Sequence, residues 1–373
     1  MGIKTTYSIK EDVEEAVKEI KDNLNEDDSK FLLFFSNPNF TPNIISKKMK
    51  DAFSNSLVAG CTTASEFIDE KLLRNSIVAM SFTSNEIELI KAEVVDLNDI
   101  NNSVKKAFKE FENFFNEPMI DMDYQKYVGI VIPNGLTPHE EELMEKIGNL
   151  TNLIFIGGSS ADYLDFKQTH LYLDGKTYTN SALLILMKPK VKFSFFKTQS
   201  VKILDKKLTA SKSSGRTVFE FDHKPAVLAY AEALNIPIEE LSIDELFYSH
   251  PVGIVMSADD NDVFVRAAKD INEDESVTFH CNILEGTEVS VLESIDVIDE
   301  TTRIIENKKL EMGKITGLIN FHCVGRTLLL ERAGQQEEYG KIFKGIPHIG
   351  FSTYGEQFIG HMNHTSTMLA FGE

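Results

Sequence analysis

Leu57-Val-Ala-Gly-Cys-Thr-Thr-Ala-Ser-Glu-Phe67 is the stretch of sequence that says most about the fold. Its apolar start ends at Gly60, and a turn of small polar residues follows. A short apolar run bounded by glycine is typical of a buried strand that opens into a loop. Thr62, Thr63 and Glu66 would then present two hydroxyls and a carboxylate around one tight curve of the backbone. We call such a strand end, with the turn after it, a corner.

The chain repeats this corner twice more. The second corner is Leu153-Ile-Phe-Ile-Gly-Gly-Ser-Ser-Ala-Asp162, and the third is His348-Ile-Gly-Phe-Ser-Thr-Tyr-Gly-Glu356. In each, a glycine is followed by a hydroxyl residue three positions later and by an acid five or six positions later: Gly60, Thr63 and Glu66; Gly157, Ser160 and Asp162; Gly350, Thr353 and Glu356. Self-similarity of this kind indicates a fold built from repeated units.

The sequence before each corner repeats as well. A strand at residues 31–35 and a helix at 44–53 precede the first corner, and a strand at 127–132 and a helix at 139–150 precede the second. Asn37 to Gly60 and Asn134 to Gly157 are both 23 residues apart. The third corner follows a strand at 317–321, a loop and a longer helical segment. We therefore predict that the first two units are copies of one another. The sequence around the third corner suggests a third copy.

Composition bounds the class of protein. A chain of 373 residues suggests about two or three domains. Its formal charge of −20 argues against binding to nucleic acid or to an anionic membrane, because both need a basic surface. The apolar runs are too short to span a bilayer, and no secretory signal is recognised at the start. Three widely spaced cysteines do not suggest a disulfide framework. We expect a cytoplasmic protein without membrane insertion.

The order of elements predicts the architecture. Strands and helices alternate, but neighbouring strands are often linked as hairpins, as at Asp174-Gly175. We therefore predict an α+β fold (mixed α/β) of two subdomains, in which repeated strand-helix-strand units form mixed sheets covered by helices. Apolar residues at helical spacing predict a helix over residues 10–24. The small polar stretch Ala210-Ser-Lys-Ser-Ser-Gly215 is expected to be a loop that links subdomains.

A series of short motifs resembles the FIST domain family. Gly-Cys-Thr-Thr-Ala-Ser-Glu at 60–66, Gly-Gly-Ser-Ser-Ala-Asp at 157–162 and residues 177–187 resemble its N-terminal half. The C-terminal half is represented by Pro251-Val-Gly-Ile, Arg266, Glu285-Gly-Thr, Cys323-Val-Gly-Arg326, residues 350–356 and the His-rich end of the chain. The resemblance covers roughly residues 28–371. It implies an N-terminal helix at 1–27, a FIST N-terminal domain at 28–222 holding two repeats, and a FIST C-terminal domain at 223–373.

The resemblance also implies a role. FIST domains are implied to be intracellular ligand sensors in signal transduction, often associated with histidine kinases, cyclic-nucleotide enzymes or chemoreceptors. Amino acids are proposed as their ligands, and some similar proteins bind haem and sense nitric oxide. We expect this chain to bind an amino acid or similar small carboxylate between its two halves and to act through a separate signalling protein. We expect a sensor without a cofactor, although haem is a possible one, and not an enzyme.

The corners supply the chemistry for such a site. Their backbone N–H groups and hydroxyls can hold a carboxylate, Arg326 can clamp an anionic group, and the corner acids can take an ammonium. The predicted ligand-binding residues are Cys61, Thr62, Thr63, Glu66, Ser159, Ser160, Asp162, Arg266, Cys323, Arg326, Ser352, Thr353, Glu356 and His364. The structural alternative is that the corners are plain turns, whose acids cap helices or pair with the arginines. The functional hypothesis requires Thr63, Ser160 and Thr353 to converge in space.

Two other functions stay open from the sequence. A thiol-dependent enzyme would use Cys61 or Cys323 as its nucleophile, with His322 or His361 as the base. A metal or haem site would draw on His361-x-x-His364 or on the neighbouring pairs His280-Cys281 and His322-Cys323. These pairs lack the close CxxC spacing of zinc sites, so we predict no metal.

Overall fold

The computed structural model describes residues 2–25, 28–257 and 262–373. The strands are β1 (Lys4–Ser8), β2 (Ser29–Ser36), β3 (Leu57–Thr62), β4 (Glu66–Ile68), β5 (Lys71–Leu73), β6 (Ile77–Thr83), β7 (Ile87–Asp96), β8 (Val128–Pro133), β9 (Phe155–Gly158), β10 (Leu171–Leu173), β11 (Lys176–Tyr178), β12 (Ser181–Pro189), β13 (Lys192–Gln199), β14 (Val201–Ser214), β15 (Thr217–Phe221), β16 (Lys224–Pro225), β17 (Val252–Ser257), β18 (Asp262–Arg266), β19 (Ala268–Ile271), β20 (Val277–Phe279), β21 (Glu288–Ser294), β22 (Ile315–Cys323), β23 (His348–Thr353), β24 (Glu356–Phe358), β25 (Gly360–Met362) and β26 (Thr365–Gly372). The helices are α1 (Val13–Leu24), α2 (Pro42–Ala52), α3 (Ile100–Phe115), α4 (Glu140–Gly148), α5 (Ala226–Leu234), α6 (Val297–Met312), α7 (Val324–Ala333) and α8 (Gln336–Lys341), with a 3₁₀ turn at Ile238–Glu240 and a π turn at Glu245–Ser249. Mixed sheets with helices confirm the predicted α+β class.

The chain packs as two compact units. The first consists of Met1–Lys197, Thr302–Ile359 and Ser366–Glu373, and the second of Thr198–Thr301 and Gly360–Thr365. All three corners lie in the first unit. The family resemblance predicts a different division of the chain, with boundaries after residues 27 and 222.

The first unit contains three copies of one motif. In each copy two strands joined by a helical crossover pair in parallel: β2 with β3, β8 with β9, and β22 with β23. The last strand of each copy then returns antiparallel to the first: β6 beside β2, β12 beside β8, and β26 beside β22. We call these copies repeats 1, 2 and 3. The internal repetition predicted from the corners is therefore confirmed, including the third copy.

Each repeat completes the sheet of another repeat. The short strand that follows each corner leaves its own sheet: β4 pairs with β23 of repeat 3, β10 with β3 of repeat 1, and β24 with β9 of repeat 2. Two of these added strands are followed by a hairpin partner that widens the sheet: β5 pairs with β4, and β11 pairs with β10. Three sheets are thus linked in a closed cycle, and none of them is built from one repeat alone.

The three sheets share an apolar core. Side chains alternate along β2, so that Phe31, Leu33 and Phe35 point into this common core whereas Leu32 and Phe34 pack with α1 and α2. In β8, Ile130 faces the common core and Val131 faces α3 and α4. Both faces of the central strands are covered, which explains why their sequences are continuously apolar.

The glycine of each corner is required by a close approach of two parallel strands. A Cβ added at Gly60 would lie 1.9 Å from the Phe34 carbonyl oxygen, and one at Gly157 would lie 1.6 Å from that of Val131. At Gly350 the distance to the Asn320 carbonyl oxygen would be 2.4 Å. Each carbonyl belongs to the glycine's register partner on the parallel strand. Gly60 and Gly350 lie inside their strands, so the expectation that the strand ends at Gly60 is wrong.

The N-terminal residues hold more than the expected helix. Helix α1 begins after Asp12, whose carboxylate accepts hydrogen bonds from the N–H groups of Glu14 and Glu15, and it buries an apolar face that includes Ile20. Before it, β1 forms the edge of the first sheet beside β6. The hairpin at Asp174-Gly175 is present, with φ of 45° and 82°, but it joins β10 to β11. The next strand along the chain, β12, belongs to another sheet.

The second unit has its own sheet and core. Its strands follow the order β18-β17-β21-β14-β15-β20-β19, and α5 packs against a core that includes Phe221 and Tyr230. The predicted linker at residues 210–215 is wrong, because β14 continues to Ser214 and pairs with β15. Only Gly215, with φ of 55°, marks the turn between these strands.

We predict that Gly60→Ala destabilises the protein by about 2 kcal/mol or more, because its methyl group must displace the β2 backbone. The measurement is the free energy of unfolding from urea titration. Gly148→Ala at the end of α4 is the matched control, since its Cβ would meet nothing within 4 Å. The control should be neutral or stabilising by about 0.5–1 kcal/mol. Equal effects at the two positions would contradict the close-approach argument.

Candidate functional site

The three corners are joined in a ring by backbone hydrogen bonds. Ala64 N–H donates to the Ser352 carbonyl at 3.4 Å, and Ser352 N–H donates to Ser65 at 2.9 Å. Tyr354 N–H donates to Ser159 at 3.2 Å, and Ser159 N–H donates to Gly355 at 2.8 Å. The ring closes where Ala161 N–H donates to Thr62 at 3.0 Å and Thr62 N–H donates to His170 at 2.9 Å. In each of the three contacts, the residue four positions after one corner glycine donates to the residue two positions after another, whereas the last acceptor, His170, has no equivalent in the other corners. We call this arrangement the corner ring.

The glutamates of corners 1 and 3 are buried and accept hydrogen bonds from hydroxyl groups. Thr63 Oγ1 donates to Glu66 Oε1 at 2.6 Å, and Ser76 Oγ donates to Glu66 Oε2 at 2.6 Å. Thr353 makes the same bond to Glu356 in the third corner. Both glutamates are fully buried. The offsets of three and six residues seen in the sequence therefore correspond to one repeated Thr–Glu hydrogen bond.

The second corner is built differently. Ser160 Oγ accepts a hydrogen bond from Gly135 N–H at 3.2 Å. Asp162 accepts bonds from Tyr354 and from the backbone N–H groups of residues 166–168. Burial opposes ionisation, but these donors lower the pKa of Asp162 below its ordinary value. Asp162 thus orders the loop that separates this corner from β10, and the loop stacks Phe166 on Tyr354 at 4.7 Å.

Glu66 is the corner acid whose protonation is most altered. Burial raises its pKa to about 7, and the hydrogen bonds from Ser76 and Thr63 only partly oppose this. At neutral pH the carboxyl group therefore exists in both protonation states. A group that titrates near neutrality inside a packed polar cluster is one that a charged ligand or a change in pH can influence.

Further hydroxyls and amides extend the ring beyond the residues predicted. Ser352 Oγ lies 2.5 Å from Ser65 Oγ and 2.7 Å from Thr327 Oγ1. Ser159 Oγ donates to Glu140 at 3.3 Å and accepts from Gln357 Nε2 at 3.1 Å. Of these partners, Ser65 lies within the motif already recognised. Thr327, Glu140 and Gln357 share no offset among the repeats, so the sequence offered no signal for them.

The cysteines and Arg326 of the prediction are buried in the first unit. Cys61 belongs to the common core, and burial followed by the nearby Glu66 raises the pKa of its thiol well above the ordinary value. Cys323 is buried at the end of β22. Arg326 is 1% exposed in α7, and its charge adds to burial in lowering the pKa of His322. Thiols placed in this way are not preformed nucleophiles.

Two predicted residues lie in the second unit. Arg266 donates through Nε to the Asn282 carbonyl at 3.0 Å and through Nη1 to the His361 carbonyl at 3.0 Å. The ring of His364 packs 4.7 Å from that of Phe247. All the other predicted ligand-binding residues lie in the first unit.

A cavity of the first unit lies away from the corner ring. It has a volume of about 640 Å³ and is bounded by β7, α3 and the β10–β11 hairpin. Glu93, Asp96, Lys106 and Tyr178 are among its lining residues, and no residue of the corner ring lines it. The sequence did not identify this cavity, because its walls come from elements of two sheets.

We predict that Glu66→Gln removes a pH dependence of stability. The ordinary pKa of a glutamate is 4.5 and that of Glu66 in the folded protein is about 7, so its stabilising contribution is complete below pH 4.5 and is lost as the pH rises through 7. Between pH 5 and 8 the wild type should lose up to about 3 kcal/mol relative to Glu66→Gln. Urea titrations across this range measure the difference.

Ser76→Ala provides the directional control for this prediction. It removes a hydrogen bond that lowers the pKa of Glu66, so stability should be lost at a higher pH than in the wild type. If Glu66→Gln and the wild type show parallel pH profiles, the assignment of the raised pKa to Glu66 is wrong.

Comparisons with known proteins agree with this architecture. The family models described as FIST N domain and FIST C domain match residues 30–224 and 226–359. The chain is also similar to the uncharacterized protein MJ1623 of Methanocaldococcus jannaschii, with 23% identity over 286 residues, which cover 72% of this chain and 55% of that protein. The chain thus spans about half the length of this curated relative. Within the described residues, no helix combines the length and apolar character needed to cross a membrane. FIST domains are sensor domains of signalling proteins, and this chain, matched over most of its length, belongs to the FIST family.

Proposed function

We propose that this chain is a cytoplasmic sensor domain that binds an amino acid or a similar small carboxylate at the corner ring. The observation that carries this proposal is the meeting of buried hydroxyl and carboxyl groups at the carboxyl ends of three parallel strand pairs. In sheets of this kind, ligands bind beyond the carboxyl ends of the parallel strands. The family's sensor role supports the same conclusion.

The polar groups of the ring suit a ligand that carries both an ammonium and a carboxylate. Glu356 and Glu66 offer carboxylates for an ammonium, and Ser352 lies within reach of two other hydroxyls. Arg326 is the buried cation of the third repeat and would pair with the ligand carboxylate. The hydrogen bonds that now join these groups to one another would be exchanged for bonds to the ligand. Binding would then alter the contacts that hold the three sheets together.

The signal would pass to a separate protein. The family associates FIST domains with signalling proteins, and a histidine kinase, a cyclic-nucleotide enzyme or a chemoreceptor is the proposed partner. The formal charge of −20 makes a basic surface on that partner the natural complement. A ligand shifts such a partnership only if it binds two states of the sensor unequally.

We predict that an amino acid or small carboxylate raises the melting temperature, because a ligand selective for the folded state stabilises it by about 2.7 kcal/mol at one hundred times its Kd. The measurement is a thermal-shift screen of amino acids, small carboxylates, nucleotides and haem. Glu356→Gln should abolish the shift. Glu86→Gln is the matched control, since Glu86 is also buried and also accepts a hydrogen bond from a threonine three residues before it.

The outcome that contradicts the proposal is a panel in which no amino acid or carboxylate changes the melting temperature of the wild type. A shift that both glutamine variants lose equally would place the ligand elsewhere. A Soret band after reconstitution with haem would instead support the nitric-oxide sensor.

We predict that Cys61 does not react with iodoacetamide in the native protein near neutral pH, because burial keeps its thiol protonated. Mass spectrometry of native and urea-unfolded samples measures the labelling. Labelling of Cys61 or Cys323 within minutes in the native state would instead support the hypothesis of a thiol-dependent enzyme.

A further inference from the structure

We propose that the second unit binds one divalent transition-metal ion of the zinc type between the thiolate of Cys281 and the imidazole of His361. This site lies apart from the corner ring and does not depend on the proposed ligand. It assembles sequence features that the sensor function leaves unused.

The two donors are close and buried. Cys281 Sγ and a ring nitrogen of His361 lie within 4.8 Å of each other. The side chains are 0% and 3% exposed. Zinc–sulfur and zinc–nitrogen bonds that meet at a tetrahedral angle place their donor atoms about 3.6 Å apart, so one ion can bridge the pair after a rotation of either side chain. Thiolate and imidazole are the donors that zinc and its first-row neighbours prefer.

Asn363 supplies a third donor atom. Its Oδ1 accepts the hydrogen bond of the Cys281 thiol at 3.0 Å and that of Ala267 N–H at 3.3 Å. The amide oxygen is therefore already aimed at the sulfur and held there by the backbone. Water can fill the remaining coordination positions.

Arg266 fixes the two segments that carry the donors. Cys281 and His361 are 80 positions apart in the chain. Arg266 joins their segments by donating through Nε to the Asn282 carbonyl and through Nη1 to the His361 carbonyl, both at 3.0 Å. Hydrogen bonds that hold the backbone on which metal ligands are carried support the geometry of a metal site. Arg266 is thus a positioning residue for this site.

The same arrangement explains two sequence motifs together. His280-Cys281 lacks the CxxC spacing of zinc sites, and His361 and His364 lie in or beside β25 and not on one helix face. In the structure they lie in one cluster, where Cys281 approaches His361, and the rings of His280 and His364 lie 5.8 and 4.7 Å from that of Phe247. A donor set divided between two distant segments gives no local spacing pattern.

Binding of the metal ion releases one proton from the protein. The Cys281 S–H bond breaks, the sulfur lone pair forms the bond to the ion, and the proton goes to solvent. His361 binds through the lone pair of a neutral ring nitrogen, and Asn363 Oδ1 loses its S–H donor, which leaves a lone pair for the ion. No electron is transferred, because the ion keeps its charge.

The test is a titration of the full-length, EDTA-treated protein with Co²⁺, followed by absorption spectroscopy. We expect one equivalent of Co²⁺ to produce a near-ultraviolet sulfur-to-cobalt charge-transfer band that Zn²⁺ abolishes by competition. Cys281→Ser should lose the band, and His361→Gln should weaken Co²⁺ binding by about tenfold or more. Cys61→Ser and Cys323→Ser are the matched controls and should keep the band.

A measurement on the wild type guards against variants that do not fold. X-ray absorption of the Zn²⁺-loaded protein should show one sulfur scatterer at about 2.3 Å together with nitrogen or oxygen neighbours. The proposal is overturned if no sulfur scatterer is found, if Co²⁺ gives no charge-transfer band, or if the band depends on Cys61 or Cys323. Binding only to surface carboxylates would give the first two of these results.

Discussion

Backbone hydrogen bonds that run from corner to corner hold the first unit together. They can form only because each corner contains a glycine whose missing side chain lets two parallel strands come close. Each corner then sends its next strand into the sheet of another repeat. A defect in one corner therefore disturbs its own sheet and the sheet that its strand completes. The hydrogen bonds that link the three sheets therefore lie at the corners, which also hold buried polar groups.

Burying polar groups at that place constrains their ionisation. Glu66, with a pKa of about 7, contributes its full stability only at acidic pH, and that contribution is lost as the pH rises through neutrality. His348 behaves in the opposite sense, because burial lowers its pKa to about 4 although its hydrogen bond to Asp69 opposes this. Its contribution is complete above pH 6.5 and is lost as the pH falls towards 4. The two residues lie on the neighbouring strands β4 and β23 of one sheet, and their effects on stability oppose each other between pH 4.5 and 6.5.

The sequence revealed the repeats but not how they join. The offsets from Gly60 to Thr63 and Glu66 recur because the same Thr–Glu hydrogen bond recurs. This bond joins residues only three positions apart, so it leaves a repeated pattern in the sequence. The exchange of strands between repeats was missed because β4 and β24 are three residues long and carry no sign of their partners. Residues 210–215 were misassigned because the end of β14 alternates partly buried and exposed side chains, so its small polar residues resemble those of a loop. Arg266 and His364 were grouped with the corners by family resemblance, whereas packing places them in the second unit.

The acids of the three corners differ in their hydrogen bonds, and these differences indicate which corners a ligand would affect most. Corners 1 and 3 keep a threonine bonded to a buried glutamate, whereas in corner 2 the acid is committed to ordering a loop through backbone N–H groups. A carboxylate that already accepts several backbone hydrogen bonds gains little from a ligand ammonium. Glu66 and Glu356 instead accept bonds from side-chain hydroxyls, which can rotate away from the carboxyl group at smaller cost when a charged donor replaces them. Since corner 1 extends the sheet of repeat 3 and corner 3 extends that of repeat 2, a ligand at either Thr–Glu pair would act on two sheets.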